Sequence, residues 1–114
     1  MKVIKTNLEG CVVIEPKVFG DDRGFFLETF QSERYANLAG IMLPFVQDNH
    51  SRSTYGVLRG LHFQKTKPQG KLVRVVKGKV YDVAVDLRKN SKSFGKYVSI
   101  TISDKDDYSF YIPE

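Results

Sequence analysis

The sequence predicts an all-β domain, a sandwich or small barrel carrying one short helix, on three observations. Apolar and β-branched residues recur in short runs from end to end. Clusters of Gly, Asp, Asn, Ser and Lys separate those runs, and only one stretch has both a helix start and a helix stop. The 114 residues are enough for one domain and not two, and no repeat, linker or low-complexity tract divides them.

The elements follow in order. Val3–Thr6 and Cys11–Pro16 read as the first strands. "FGDDRGFF" is rich in turn residues and leads into the strand-like "FFLETF". Ser32 is placed to cap a helix over about Glu33–Ala39, which Gly40 can end. "LPFVQDNHSRS" reads as an extended run leaving into a polar loop, followed by the run "GVLRGLHFQ" and the loop "KTKPQG". "KLVRVVKGKVYDVAVDLR" reads as two strands around Lys77-Gly78. "KYVSITIS" and "YSFYIP" are two more, split by the turn "DKDD".

Composition removes several classes of function. The chain is 41% hydrophobic and 27% charged, as in ordinary globular domains. No apolar run approaches the roughly 20 residues of a membrane span, and "MKVIKTNLEG" lacks the apolar core of a signal peptide. Cys11 is the single cysteine, which excludes an intrachain disulfide and fits a reducing cytoplasm. With two histidines and one cysteine, no metal site is expected. The net charge of +5 is unevenly spread. From Asn49 to Tyr81 there is no acid but eight bases, Arg52, Arg59, Lys65, Lys67, Lys71, Arg74, Lys77 and Lys79. A hollow built from this segment attracts an anion. Aromatic-basic motifs of nucleic-acid modules are absent, so no nucleic-acid partner is expected.

Two stretches carry candidate chemistry. In "GVLRGLHFQ" an arginine and a histidine interrupt an apolar run, where charge costs free energy unless it is used. In a plain strand Arg59 and His62 point to opposite faces. A bulge at Gly60 lets both reach one cavity; the spacing leaves the two arrangements open. In the second stretch, a two-residue turn at Lys77-Gly78 sets Val73 opposite Asp82 and makes Lys71 and Asp82 diagonal neighbours. A three-residue turn sets Arg74 opposite Asp82 instead. Val73, Val75, Val80 and Ala84 then line one face, and Leu72, Val76, Tyr81, Val83, Val85 and Leu87 the other, so both faces are expected to be buried.

"FGDDRGFFLETF", "FVQDNHSRSTYGVLRGLHFQ", "PQGKLVRVVKGKVYDVAVDLR" and the closing "YIPE" together resemble the dTDP-4-dehydrorhamnose 3,5-epimerase family, from about Ile14 to the last residue. The resemblance implies a cupin-type jelly roll, here an incomplete one filling 1–114, because family chains continue past this motif. It implies His62 as general base and Lys71 at the substrate's keto oxygen; Asp82, set beside Lys71 by the two-residue turn above, is a candidate supporting group. It implies substrate contacts from Arg23, Glu28, Gln47, Asn49 and Arg59. Phe26 is implied to reach a neighbouring subunit's site, with Arg23 and Glu28, in a homodimer that exchanges N-terminal strand contacts. The tyrosine that acts as opposing acid, and the carboxylate that orients the histidine, belong to the later part of family chains.

The implied reaction inverts carbons 3 and 5 of dTDP-4-dehydro-6-deoxy-D-glucose, giving dTDP-4-dehydro-L-rhamnose. Each carbon adjoins the ketone, so removing its proton leaves an enolate. An imidazole is suited to take that proton near neutral pH, and an ammonium stabilises the oxyanion. Guanidinium groups suit the pyrophosphate. The chemistry calls for no redox or metal cofactor. Epimerisation at carbon 3 or carbon 5 alone, a non-catalytic nucleotide-sugar-binding cupin and a metal-dependent cupin enzyme are the rival readings.

Overall fold

The computed structural model describes residues 1–114. Eight strands and one helix follow in the order β1 (Lys2–Lys5), β2 (Val12–Glu15), β3 (Val18–Asp21), β4 (Gly24–Leu27), α1 (Ser32–Ala39), β5 (Lys71–Arg74), β6 (Lys79–Val85), β7 (Tyr97–Ser103) and β8 (Ser109–Ile112). A four-stranded antiparallel sheet has the order β1-β2-β8-β5, and β3-β4 and β6-β7 form two separate hairpin sheets.

Alternation along β2 and β8 builds the core. Val13 and Phe110 point to one side of the four-stranded sheet, into a cluster with Leu8, Cys11, Ala84 and Ile102. Val12, Ile14 and Tyr111 point to the other side, into a cluster with Tyr35 and Ile41. The central sheet is thus a middle layer, with β6-β7 over one face and α1 over the other. Period-two side chains apolar on both faces are what a covered sheet requires.

Helix α1 docks through Tyr35, which is buried and donates its hydroxyl to the Thr29 carbonyl at 2.8 Å. Its cap differs from expectation. Gln31, not Ser32, is the N-cap, and its side chain accepts from the Arg34 amide. Gly40 ends the helix at φ 71°, a left-handed conformation that glycine adopts without cost.

Two expectations fail. Lys77-Gly78 does not turn β5 back onto β6. β5 pairs with β8, setting Val73 opposite Phe110, and β6 pairs with β7, setting Asp82 opposite Ile100. Gly78, at φ 86°, instead bonds Asp104 in the β7–β8 turn, so the chain crosses from one sheet to the other. Lys71 and Asp82 are therefore not diagonal neighbours, and no ion pair joins Asp82 to Arg74. "GVLRGLHFQ" is also not a strand, nor is the run from Met42 to Gln47. Neither finds a backbone ladder within the chain, and apolar alternation without a partner makes no sheet. Burial of both faces holds for β5, whose Leu72 and Val73 pack against opposite clusters. It fails on β6, where Tyr81 is 66% exposed while Ala84 is buried.

Candidate active site

The four-stranded sheet and β6 each carry a candidate group on the strand face that packs toward the shared apolar cluster. Lys71 opens β5 and shares a face with Val73, which packs toward β6-β7. Asp82 shares its face of β6 with Ala84, which packs toward the four-stranded sheet. The expected juxtaposition in a hairpin therefore fails: the two residues stand on strands of different sheets. The Lys71 ammonium donates to Gln69 Oε1 at 3.2 Å. Asp82 is half-buried, accepts no side-chain hydrogen bond, and has its carboxyl pushed up from the ordinary range by burial.

His62 lies in the irregular run and is exposed, with no hydrogen bond to another side chain. Gly60 before it takes φ 123°, and a Cβ there would sit 3.5 Å from the imidazole Cδ2. The backbone conformation favours glycine, while the ring lies at ordinary contact distance. Neither the plain strand nor the strand bulge describes this turn. Arg59 is held by its neighbours. Its Nε donates to Ser53 Oγ at 2.9 Å and its Nη2 to the Arg52 carbonyl at 3.2 Å. Gln47 donates to Asn49 Oδ1 at 3.1 Å, which pins two candidate contacts to each other.

Arg23 and Phe26 lie apart from these groups. The β3-β4 hairpin encloses a shallow hollow of about 440 Å³, lined by Phe19, Asp21, Arg23, Phe25 and Phe26. It includes neither His62 nor Lys71. Phe26 is 71% exposed. Arg23 is clasped by Asp21, with its amide on Oδ1 at 2.9 Å and its Nη2 on Oδ2 at 2.6 Å. That clasp holds the Asp21 carboxyl below its usual range. Glu28 is paired with Arg34 at 2.7 Å.

Three partners were not singled out from sequence: Gln69 on Lys71, Asp21 on Arg23 and Arg34 on Glu28. The first two were legible in principle. A polar residue two positions before a basic one, at a strand end or hairpin turn, lies within side-chain reach. The third needs the path of the chain into α1.

The layered all-β fold with one short helix defines a cupin-type domain. The chain belongs to the dTDP-4-dehydrorhamnose 3,5-epimerase family, whose sequence profile matches residues 5–114. It is 54% identical over 113 residues to the dTDP-4-dehydrorhamnose 3,5-epimerase of Methanothermobacter thermautotrophicus, covering 99% of this chain and 60% of the relative. It is 51% identical over 115 residues to that of Escherichia coli K12, covering all of this chain and 62% of the relative. The crystal structure of a dTDP-6-deoxy-D-glucose-3,5-epimerase from Legionella pneumophila, in complex with dTDP-4-keto-L-rhamnose, superposes with a TM-score of 0.95. It is 51% identical, over 99% of this chain and 60% of that one. The chain thus spans about three-fifths of the length of these relatives. No helix is long and apolar enough to cross a membrane.

Proposed function

We propose that the chain carries the base and the oxyanion partner of a nucleotide-sugar 3,5-epimerase. This enzyme converts dTDP-4-dehydro-6-deoxy-D-glucose into dTDP-4-dehydro-L-rhamnose. The observation that carries the reading is the match of residues 5–114 to a family named for this epimerisation. His62 takes the proton from the carbon beside the ketone. The electron pair of the broken C–H bond forms the enolate, and its charge moves to the keto oxygen. The Lys71 ammonium donates to that oxygen. A preorganised donor of this kind is worth about 3 kcal/mol, roughly a hundredfold in rate. The ammonium must exchange Gln69 for the substrate, with Asp82 as a supporting group.

Net inversion also needs a proton returned to the opposite face. The family resemblance assigns that step to a tyrosine of the chain segment beyond the matched region. Arg59 binds the pyrophosphate once it leaves Ser53, with Gln47 and Asn49 beside it. Arg23, Phe26 and Glu28 contribute to the site of a second copy in a homodimer. Their hairpin stands apart from His62 and Lys71, which supports that assignment.

The test is solvent deuterium incorporation at carbons 3 and 5 of the keto sugar. His62→Ala is expected to abolish wash-in, and Lys71→Ala to slow it about a hundredfold. Unchanged exchange in His62→Ala would overturn the base assignment. Exchange at one carbon only would identify a single-position epimerase.

A further inference from the structure

We infer that Gly70, wedged against the Tyr111 phenol, is the positioning residue that fixes where the Lys71 ammonium stands; the inference rests on the reading of Lys71 given above. Gly70 has an ordinary backbone φ, so its conformation does not explain it. Space does. A Cβ built at Gly70 lies 3.0 Å from the Tyr111 hydroxyl, 3.4 Å from Tyr111 Cε2 and 3.4 Å from Glu114 Oε2. Nearly all real Cβ atoms keep farther from their neighbours.

The phenol has little room to yield. Tyr111 is only 7% exposed and is packed among Val12, Ile14, Tyr35 and Ile41. The Phe45 ring stands edge-on to it at 6.4 Å between centroids. Burial, together with the Glu114 carboxylate, pushes the phenol pKa up from its usual value. The ring therefore remains a neutral strut.

Adjacent residues of a strand point to opposite faces. Gly70 approaches the side of the sheet that holds Tyr111, while Lys71 is directed to the opposite side, with Val73. A methyl group at position 70 pushes the start of β5 away from Tyr111 and carries Lys71 with it. The same push strains the bond from the ammonium to Gln69. A displacement of about 1 Å is enough to cost a large factor in rate when a group must meet a developing charge.

The experiment compares the chain with Gly70→Ala, Tyr111→Phe and the double variant. Lysines are reductively methylated with carbon-13 formaldehyde, and Lys71→Arg assigns the Lys71 signal by its loss. Gly70→Ala is expected to move the chemical shift of that signal alone. In parallel it lowers kcat for deuterium wash-in about tenfold, with KM within twofold. Tyr111→Phe removes the 3.0 Å contact, so the double variant is expected to regain most of both properties. An unmoved Lys71 signal in Gly70→Ala, or a double variant no closer to the parent than the single one, overturns the inference. If the parent shows no deuterium wash-in, the epimerase reading fails by itself, and the Lys71 signal still decides the role of Gly70.

Discussion

The molecule contains the same clasp twice. In Asp21-x-Arg23 and Asp86-x-Arg88 the arginine amide donates to Oδ1, at 2.9 and 3.0 Å, and the guanidinium closes onto the carboxylate. Their surroundings are opposite. Asp21 and Arg23 side chains are 52% and 90% exposed, on the open hairpin. The Asp86 side chain is fully buried and Arg88 is 39% exposed. Asp86 also accepts from Ser91 Oγ and Ser93 Oγ, each at 2.6 Å, while its backbone pairs with Lys96 and Gly95. One clasp bolts the loop from Asp86 to Lys96. The other keeps an arginine folded but available. Bond geometry alone does not separate structural from functional charge; burial and the number of donors do.

The strongest way to break this comparison is Asp86→Ala. It strands the two serine hydroxyls and leaves a partly buried guanidinium unpaired. Loss of a buried ion-pair partner costs about 3–5 kcal/mol, and the low end applies because Arg88 can reach water. The expected result is a fall of roughly 12 °C or more in Tm. Ser93→Ala removes one charge-assisted bond and is expected to cost about 1.5 kcal/mol. The pH dependence has a definite sign. Arg88 holds the Asp86 carboxyl far below its usual range, with Ser91 and Ser93 adding to it. This stability is fully present above the unfolded carboxyl pKa of about 3.9. It is lost as pH falls below that value toward the folded pKa. A parent Tm that stays flat from pH 5 to pH 2 would contradict the bolt.

Asp82 sharpens the contrast from the other side, as a carboxylate withdrawn from water without any clasp. Burial raises its pKa, so the fold favours its protonated form. Its contribution to stability is therefore present below the unfolded pKa and lost as pH rises through the folded pKa. Asp82→Asn is expected to raise Tm by a few degrees at pH 7–8, with the gain vanishing near pH 4. It is also expected to slow deuterium wash-in, since a site often gives up stability for chemistry. Differential scanning fluorimetry across pH reads the first effect, and a lowered Tm at pH 8 would sink it.

The same difference explains how far the sequence was legible. Strand runs with a central apolar stripe were readable because alternation is local: β2, β7 and β8 lie where Cys11–Pro16, "KYVSITIS" and "YSFYIP" put them. The β3–β4 turn at "DDR" was readable from its turn residues. Pairing was not local. Gly78 marks a turn, but whether β5 pairs with β6 or with β8 depends on residues more than thirty positions away, and the distant partner won. In the site, Lys71 and Asp82 were set beside each other by a hairpin that does not exist, and they stand on strands of different sheets instead. The Asp86 bolt escaped notice because its serines count only once the loop closes.

The smallest expected effect tests the open clasp. Because Asp21 and Arg23 both face water, breaking them removes little that water does not replace. Asp21→Asn and Arg23→Ala are each expected to leave Tm unchanged. Their effects on an anion differ in direction. A pyrophosphate arriving at the hairpin hollow must compete with Asp21 for the guanidinium fork. Asp21→Asn removes that competitor and one negative charge, so dTDP is expected to bind about two- to fivefold more tightly at low salt. Arg23→Ala is expected to weaken binding, and its difference from the parent should shrink as ionic strength rises and screening shortens the reach of surface charge. Titration calorimetry at two salt concentrations measures both. If Asp21→Asn weakens binding as Arg23→Ala does, Asp21 is holding the fork in its working geometry rather than occupying it, and the two clasps are closer in kind than their exposure implies.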